Sequence, residues 1–272
     1  MNPLRAAIAR GARRPNTRGP GAIARRPGEG YEFAQLRGYA EGDDPRRIDW
    51  AASARIGALQ TRVYLDENAL VFAAILDESA SMRVGRKRSL LDAGHDALGA
   101  WFGAAEEEDR SRRIIDGAPV GPSTLRGRRG ARVAIDARGT GTFDLGRELR
   151  TAVHVLPRGS ALLVISDFFE LASEDADETL ARAGARLDAT ALIARDPWMT
   201  DMPLAGFVRL RDAESGRVRR VFVGKRQRQR YRIASVERDA AIRERLRAHG
   251  WRIGTLDERD GRGSLYHAFG VR

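Results

Sequence analysis

Cysteine is absent from the 272-residue chain. That excludes disulfides, zinc–thiolate centres and thiol nucleophiles. Aromatic residues make up only 7% of the sequence. No apolar run approaches the roughly 20 residues that cross a bilayer. Met1 to Gly30 carry arginines but no apolar h-region, so they do not read as a secretory signal. The G-x-S-x-G, Walker and H-E-x-x-H patterns are all missing. His95, His154, His249 and His267 have neither ligand-like nor triad spacing. The expectation is a soluble, cytoplasmic protein without a membrane span, and not an enzyme of any motif-bearing class.

Charge is plentiful and one-sided, at +11 with a pI of about 10.9. Such a balance invites a nucleic-acid reading. Most of it is arginine interspersed with acids, however, and an interspersed surface has no specific basic face. The exceptions are Arg5 to Arg26 and Lys225 to Arg232. Nucleic-acid association through these segments therefore stands as the alternative reading.

The length and the 42% hydrophobic content suit one large α/β domain with an added segment. Residues 1–30 are rich in Arg, Gly and Pro without apolar periodicity, and read as flexible or pinned by the rest of the fold. Residues 31–68 read as an N-terminal extension that docks on the main domain. Residues 69–272 form that domain. The run from Ala69 to Leu76 and the run from Ala161 to Ile165 are continuously apolar, as strands buried on both faces are. Helical spacing is expected over 86–105, 145–155 and 173–187, and a further strand over 188–194. A hairpin insertion is expected near 205–224. Gln227 to His249 reads as a long charged helix with Ile233, Val236, Ala240 and Leu246 inward, and the last strand follows from Trp251. Residues 106–135 are hard to read: Ile114-Ile115 and Val133 to Ile135 fit strand or helix, and Gly117 to Gly130 fits a turn. Strands alternating with helices imply a doubly wound, mostly parallel sheet with helices on both faces.

Asp77 and Asp167 each follow a buried strand. Ligands of open α/β sheets bind at the carboxyl ends of strands, so neighbouring strands would bring these carboxylates together. Asp77-Glu78-Ser79-Ala80-Ser81 adds two hydroxyls, and Gly139-Thr140-Gly141-Thr142 adds two more. Oxygen-only ligands suit a hard cation, Mg²⁺ first, with Ca²⁺ and Mn²⁺ as alternatives. Neutral hydroxyls leave the cation able to accept an acidic partner side chain. Taken alone, the same residues would serve as turn or cap residues.

This pattern resembles the metal-binding motif of the von Willebrand factor A family, D-x-S-x-S followed by a Thr and an Asp. The resemblance implies that Asp77, Ser79, Ser81, Thr142 and Asp167 ligate the metal, with Thr140 as the alternate threonine. Upstream, Glu32-Phe33, Arg37, Tyr39, Gly42-Asp43-Asp44, Arg46, Ile48-Asp49-Trp50 and Ala54-Arg55 are similar to the signature of the domain of unknown function 58 family. That resemblance implies a partnership with a MoxR-type AAA+ ATPase or its client. Many members carry N-terminal membrane helices, of which this sequence shows none. Arg37, Arg46, Asp43, Asp44 and Asp49 are expected to form an ion-pair lattice anchored by Tyr39 and Trp50, or else a partner surface. The expected function is a metal-dependent, non-enzymatic adaptor. A hydrolase using Asp77 and Asp167 ranks last for want of an evident general base.

Overall fold

The computed structural model describes residues 2–12, 27–39, 45–65, 70–121, 125–172, 175–195, 206–211 and 217–271. Gly42, Asp43 and Asp44 of the upstream signature lie outside the described residues. Two compact units are present, one of Met1–Arg14 with Leu70–Arg272 and one of Pro15–Ala69.

Helix α1 (Pro3–Ala12) opens the chain. In the smaller unit, β1 (Pro27–Gly38) and β2 (Gln60–Leu65) pair antiparallel, and α2 (Trp50–Ile56) lies between them in sequence. Asp49 caps α2, its Oδ1 accepting from the Ala52 amide at 3.0 Å. Gly57, at φ 75°, ends it, a conformation open to glycine at no steric cost. The buried residues of α2 are Ala52 and Ser53. Trp50, the first helical residue, is 69% exposed.

The larger unit continues through β3 (Val71–Leu76), α3 (Leu90–Gly103), β4 (Arg110–Ile115), β5 (Ala118–Val120) and α4 (Gly127–Asp136). Then come α5 (Leu145–Val155), β6 (Ala161–Ser166), α6 (Asp175–Arg186), β7 (Asp188–Ala194) and the hairpin β8 (Gly206–Arg211) with β9 (Val218–Val223). It closes with α7 (Lys225–Ala248), β10 (Arg252–Leu256) and α8 (Gly261–Ala268). Six strands make one sheet in the order β10-β7-β6-β3-β4-β5, parallel throughout except for the β4–β5 edge pair. The expected mostly parallel α/β sheet is therefore present.

Strand side chains alternate between two separate cores. Phe72, Ala74 and Leu76 of β3 pack with α1, α3, α4 and α8, whereas Ala73 and Ile75 pack with α5, α6 and α7. In the same way Leu163 and Ile165 of β6 face one core, and Leu162 and Val164 the other. A strand with helices on both sides must be apolar at every position, which is why these runs lack polar alternation. Trp101 of α3 stacks edge-on against Phe72 at 5.4 Å and donates its indole N–H to the Ala73 carbonyl at 3.0 Å. The largest ring in that core thus has its one polar atom satisfied.

Several expectations are revised. Residues 3–12 are helical, and Leu4 and Ile8 are buried in the core beside α3. Arg5 fixes this helix through two bonds to Asp109, of 2.7 and 3.0 Å. Buried Asp109 also accepts the Leu70 and Glu106 amides, both at 2.8 Å. Residues 106–135 hold β4, β5 and α4: Ile114-Ile115 is strand, and Val133 to Ile135 is helix. In α7 the inward residues are Ile242 and Leu246, while Ile233 and Val236 are 46% and 64% exposed. No described helix is long and apolar enough to cross a membrane.

Candidate metal centre

The central strands deliver the two predicted aspartates to one end of the sheet. β3 and β6 are adjacent and parallel with Leu76 opposite Ile165. Asp77 continues the ladder by one bond, its amide donating to the Ile165 carbonyl at 2.9 Å. Asp167 follows directly after Ser166, the last residue of β6. Ser166 donates its hydroxyl to Asp77 Oδ2 at 2.8 Å, and the Ser166 Oγ in turn accepts the Phe168 amide at 3.0 Å. Phe168 takes φ 54°, so the chain turns sharply after Asp167.

The loop after Asp77 folds back on it. The Ser79 amide donates to Asp77 Oδ1 at 2.9 Å, and the hydroxyls of Ser79 and Ser81 lie 3.0 Å apart. The short 3₁₀ helix Ala80–Arg83 is seated by fully buried Met82. Asp77 is 2% exposed and forms no ion pair among the described residues. Burial raises its carboxyl above the usual range; the Ser79 and Ser166 bonds work against this, and nearby Asp167 adds to it. A buried carboxylate held by neutral donors, with a second carboxylate nearby, is a place where a cation would relieve both desolvation and repulsion. Among the described residues no three His, Cys, Asp or Glu side chains cluster as metal ligands. The donor set here is instead two carboxylates with hydroxyls, the chemistry that suits a hard cation.

Residues 35–241 match the model of a family described as a protein of unknown function, DUF58. The chain belongs to this family. The matched span takes in both the upstream signature from Arg37 to Arg55 and the loops of Asp77, Thr142 and Asp167. This DUF58 chain is 31% identical over 251 aligned residues to uncharacterized proteins of Mycobacterium bovis and Mycobacterium tuberculosis, covering 82% of its own length and 74% of theirs. It is also similar to a conserved hypothetical protein BatB from Bacteroides thetaiotaomicron, at 13% identity and a TM-score of 0.47, over 74% of this chain and 97% of that one.

In the DUF58 chain the threonine loop is held against Glu78. Glu78 Oε2 accepts the Gly139 amide at 2.8 Å. Gly141 takes φ 87°, the left-handed region that favours glycine, and a Cβ there would make only ordinary contacts with Arg83 Nη2 at 3.6 Å and the Glu78 carbonyl oxygen at 3.9 Å. The Thr140 and Thr142 hydroxyls are 2.9 Å apart, and Thr140 also donates to Asp116 Oδ1 at 3.0 Å. No described hydrogen bond joins either threonine to Asp77 or Asp167. The structure thus brings Asp77, Ser79 and Ser81 together, sets Asp167 on the neighbouring strand end, and docks the loop of Thr142 on Glu78.

Sequence reasoning assigned no role to Glu78, Arg113, Asp116 or Ser166. Arg113, fully buried in β4, donates to Glu78 Oε1 at 3.1 Å. Burial pulls the Arg113 guanidinium down to about 10, against the pull of Glu78. His95 Nε2 stands 4.0 Å from the same carboxylate. Asp116 had a usable signal: it follows Ile114-Ile115 as Asp77 and Asp167 follow their strands, so β4, β3 and β6 are each followed directly by an aspartate.

Proposed function

We propose that this chain is a non-enzymatic protein-interaction module that holds a divalent cation, Mg²⁺ first, at Asp77, Ser79, Ser81, Thr142 and Asp167, and through it grips an acidic side chain of a partner. The observation that supports this best is buried Asp77, bonded to neutral donors and lacking a counter-charge among the described residues. Mg²⁺, when bound, supplies an open coordination position for a carboxylate. The residues do the rest. Ser166 and the Ser79 amide fix the Asp77 carboxylate, Glu78 sets the spacing of the threonine loop, and the serine hydroxyls add ligands without charge. Membership in DUF58, with its upstream Arg/Asp/Trp signature, makes a MoxR-type AAA+ ATPase or its client the proposed partner.

Titration calorimetry of the full chain with MgCl₂ tests the site, and pull-down of the ATPase with Mg²⁺ or EDTA tests the partnership. Asp77→Ala is expected to abolish both while the fold survives. Partner capture that persists unchanged in EDTA would falsify the metal-dependent reading.

The alternative, nucleic-acid association, keeps one supporting observation. Lys225, Arg226, Arg230 and Arg232 at the start of α7 are all exposed. Arg5, by contrast, is committed to Asp109 and Glu106. This reading predicts binding that weakens steeply with salt, and a flat salt response removes it.

A further inference from the structure

A cleft of about 180 Å³ opens beside the proposed metal centre, lined by Asp116, Thr142, Phe143, Asp144, Arg147 and Glu148. Three of the six residues are acids, but they are not equivalent. Asp144 is occupied as the cap of α5, its Oδ1 accepting the Arg147 amide at 2.8 Å. Asp116, at φ 53°, uses both oxygens on Thr140, accepting its amide at 3.1 Å and its hydroxyl at 3.0 Å. Glu148 is different. It is 3% exposed, its Oε1 accepts the Gly117 amide at 2.8 Å, and its Oε2 has no hydrogen-bond partner among the described residues.

A buried carboxylate oxygen without a donor is costly, and such groups in folded proteins generally mark a missing partner. Burial raises the Glu148 carboxyl above its usual range; the Gly117 amide lowers it, Asp116 raises it further, and Arg147 and Arg113 lower it. Arg113 lies within electrostatic reach but is not hydrogen-bonded to Glu148: its Nη2 donates to Glu78, and its Nε and Nη1 are themselves buried without a hydrogen-bond partner among the described residues. Arg147 lines the cleft but forms no ion pair with Glu148. α5 and the turn after β4 grip each other here, with Thr151 donating to the Gly117 carbonyl at 2.9 Å, so the cleft walls are fixed. The acids do not converge on one point as metal ligands would. A group with several donors spread in a plane fits such scattered acceptors better than a bare ion.

We infer that this cleft binds the cationic end of a basic side chain, an arginine guanidinium or a lysine ammonium, carried by a partner protein. Glu148 Oε2 is the principal acceptor, and Arg147 sits at the mouth as a competing positive charge. The cleft shares Thr142 with the proposed metal centre. Resting on that metal reading, the inference extends to the partner's sequence: an acidic residue for the metal lies close to a basic residue for the cleft.

The test uses the full chain, with N-acetyl-arginine amide and N-acetyl-citrulline amide as probes, followed by NMR chemical-shift titration. Citrulline keeps the shape of arginine and lacks its charge. Arginine amide is expected to bind at least about tenfold more tightly, the factor that a 1.4 kcal/mol difference produces. Glu148→Gln should erase that preference, and Arg147→Gln should strengthen arginine binding. A change of opposite sign in the two variants is not what a merely structural role would give. Equal affinity for the two probes, or an arginine preference that survives Glu148→Gln, overturns the inference. If Glu148→Gln does not fold, Arg147→Gln decides alone, and unchanged binding there counts against the cleft. Arginine binding unaffected by the loss of Mg²⁺ binding in Asp77→Ala upholds the cleft while the metal reading stands or falls separately.

Discussion

Ser166 donates its hydroxyl to Asp77 Oδ2 at 2.8 Å, across the seam between β3 and β6. Both residues are buried, and the same serine oxygen accepts the Phe168 amide. One hydroxyl thus orients a carboxylate and holds the turn that carries Asp167. Replacing it with a methyl leaves a buried acceptor and a buried amide short of a partner. Ser166→Ala should destabilise the fold by about 2 kcal/mol, the range for bonds to charged groups. Urea denaturation measures it directly. A cost below about 0.5 kcal/mol, the noise level of neutral surface changes, would mean the bond contributes nothing.

Fully buried Arg113 and partly buried Glu78 form the ion pair behind the site, at 3.1 Å. Removing one partner strands the other charge in the core. Glu78→Ala is expected to cost about 3–5 kcal/mol, the usual penalty for breaking such a pair. The double change Glu78→Leu with Arg113→Met should recover most of that, since no charge is left behind. A double-mutant cycle separates the pair from the amide bond that Glu78 also makes to Gly139. Strictly additive single effects would show that the two side chains are not coupled.

The parts of this architecture that could be read from the sequence are those where one short segment carries the whole signal. The runs Val71–Leu76 and Ala161–Ser166 are apolar at every position because helices cover both faces, and each delivers its aspartate to the same end of the sheet. The long helix α7 could be recognised but not its rotation. It carries two weak apolar stripes, one with Ile233 and Val236 and one with Ile242 and Leu246, and tertiary packing selects the second. β4 was obscured by Arg110, Arg112 and Arg113, since a fully buried arginine makes sense only once Glu78 is placed against it. Asp109 likewise gains its role from Arg5, 104 positions away, a relation with no local signature.

That last relation gives a further prediction. Leu4 and Ile8 pack in the core that contains Trp101 and Phe72. Ile8→Ala should therefore cost about 2–5 kcal/mol, as for other large-to-small core changes. Ile233→Ala, on the exposed stripe of α7, should stay within about 0.5 kcal/mol. Thermal melts of the two variants distinguish a structural N-terminal helix from a dispensable one. Equal melting temperatures would count against the packing of α1.

His95 should make stability fall on mild acidification. Its ring Nδ1 lies 2.9 Å from the Leu91 carbonyl, so the neutral ring donates from Nδ1 and leaves Nε2 bare. Burial holds the imidazole below its ordinary value of 6.5, and the charge of Arg138 adds to this; the Leu91 carbonyl and Glu78 oppose it, and Arg113 adds a smaller push downward. As pH falls through 6.5 the unfolded chain takes up a proton that the folded chain refuses. The unfolded state then binds more protons, so stability drops with falling pH until the folded value is passed. Above 6.5 the effect vanishes, because both states are neutral. The urea midpoint should decline between pH 7.5 and 5.5 in the native chain. His95→Gln, which keeps a polar side chain without a titrating ring, should decline less over the same interval. Parallel curves for the two proteins would assign the acid sensitivity to other groups.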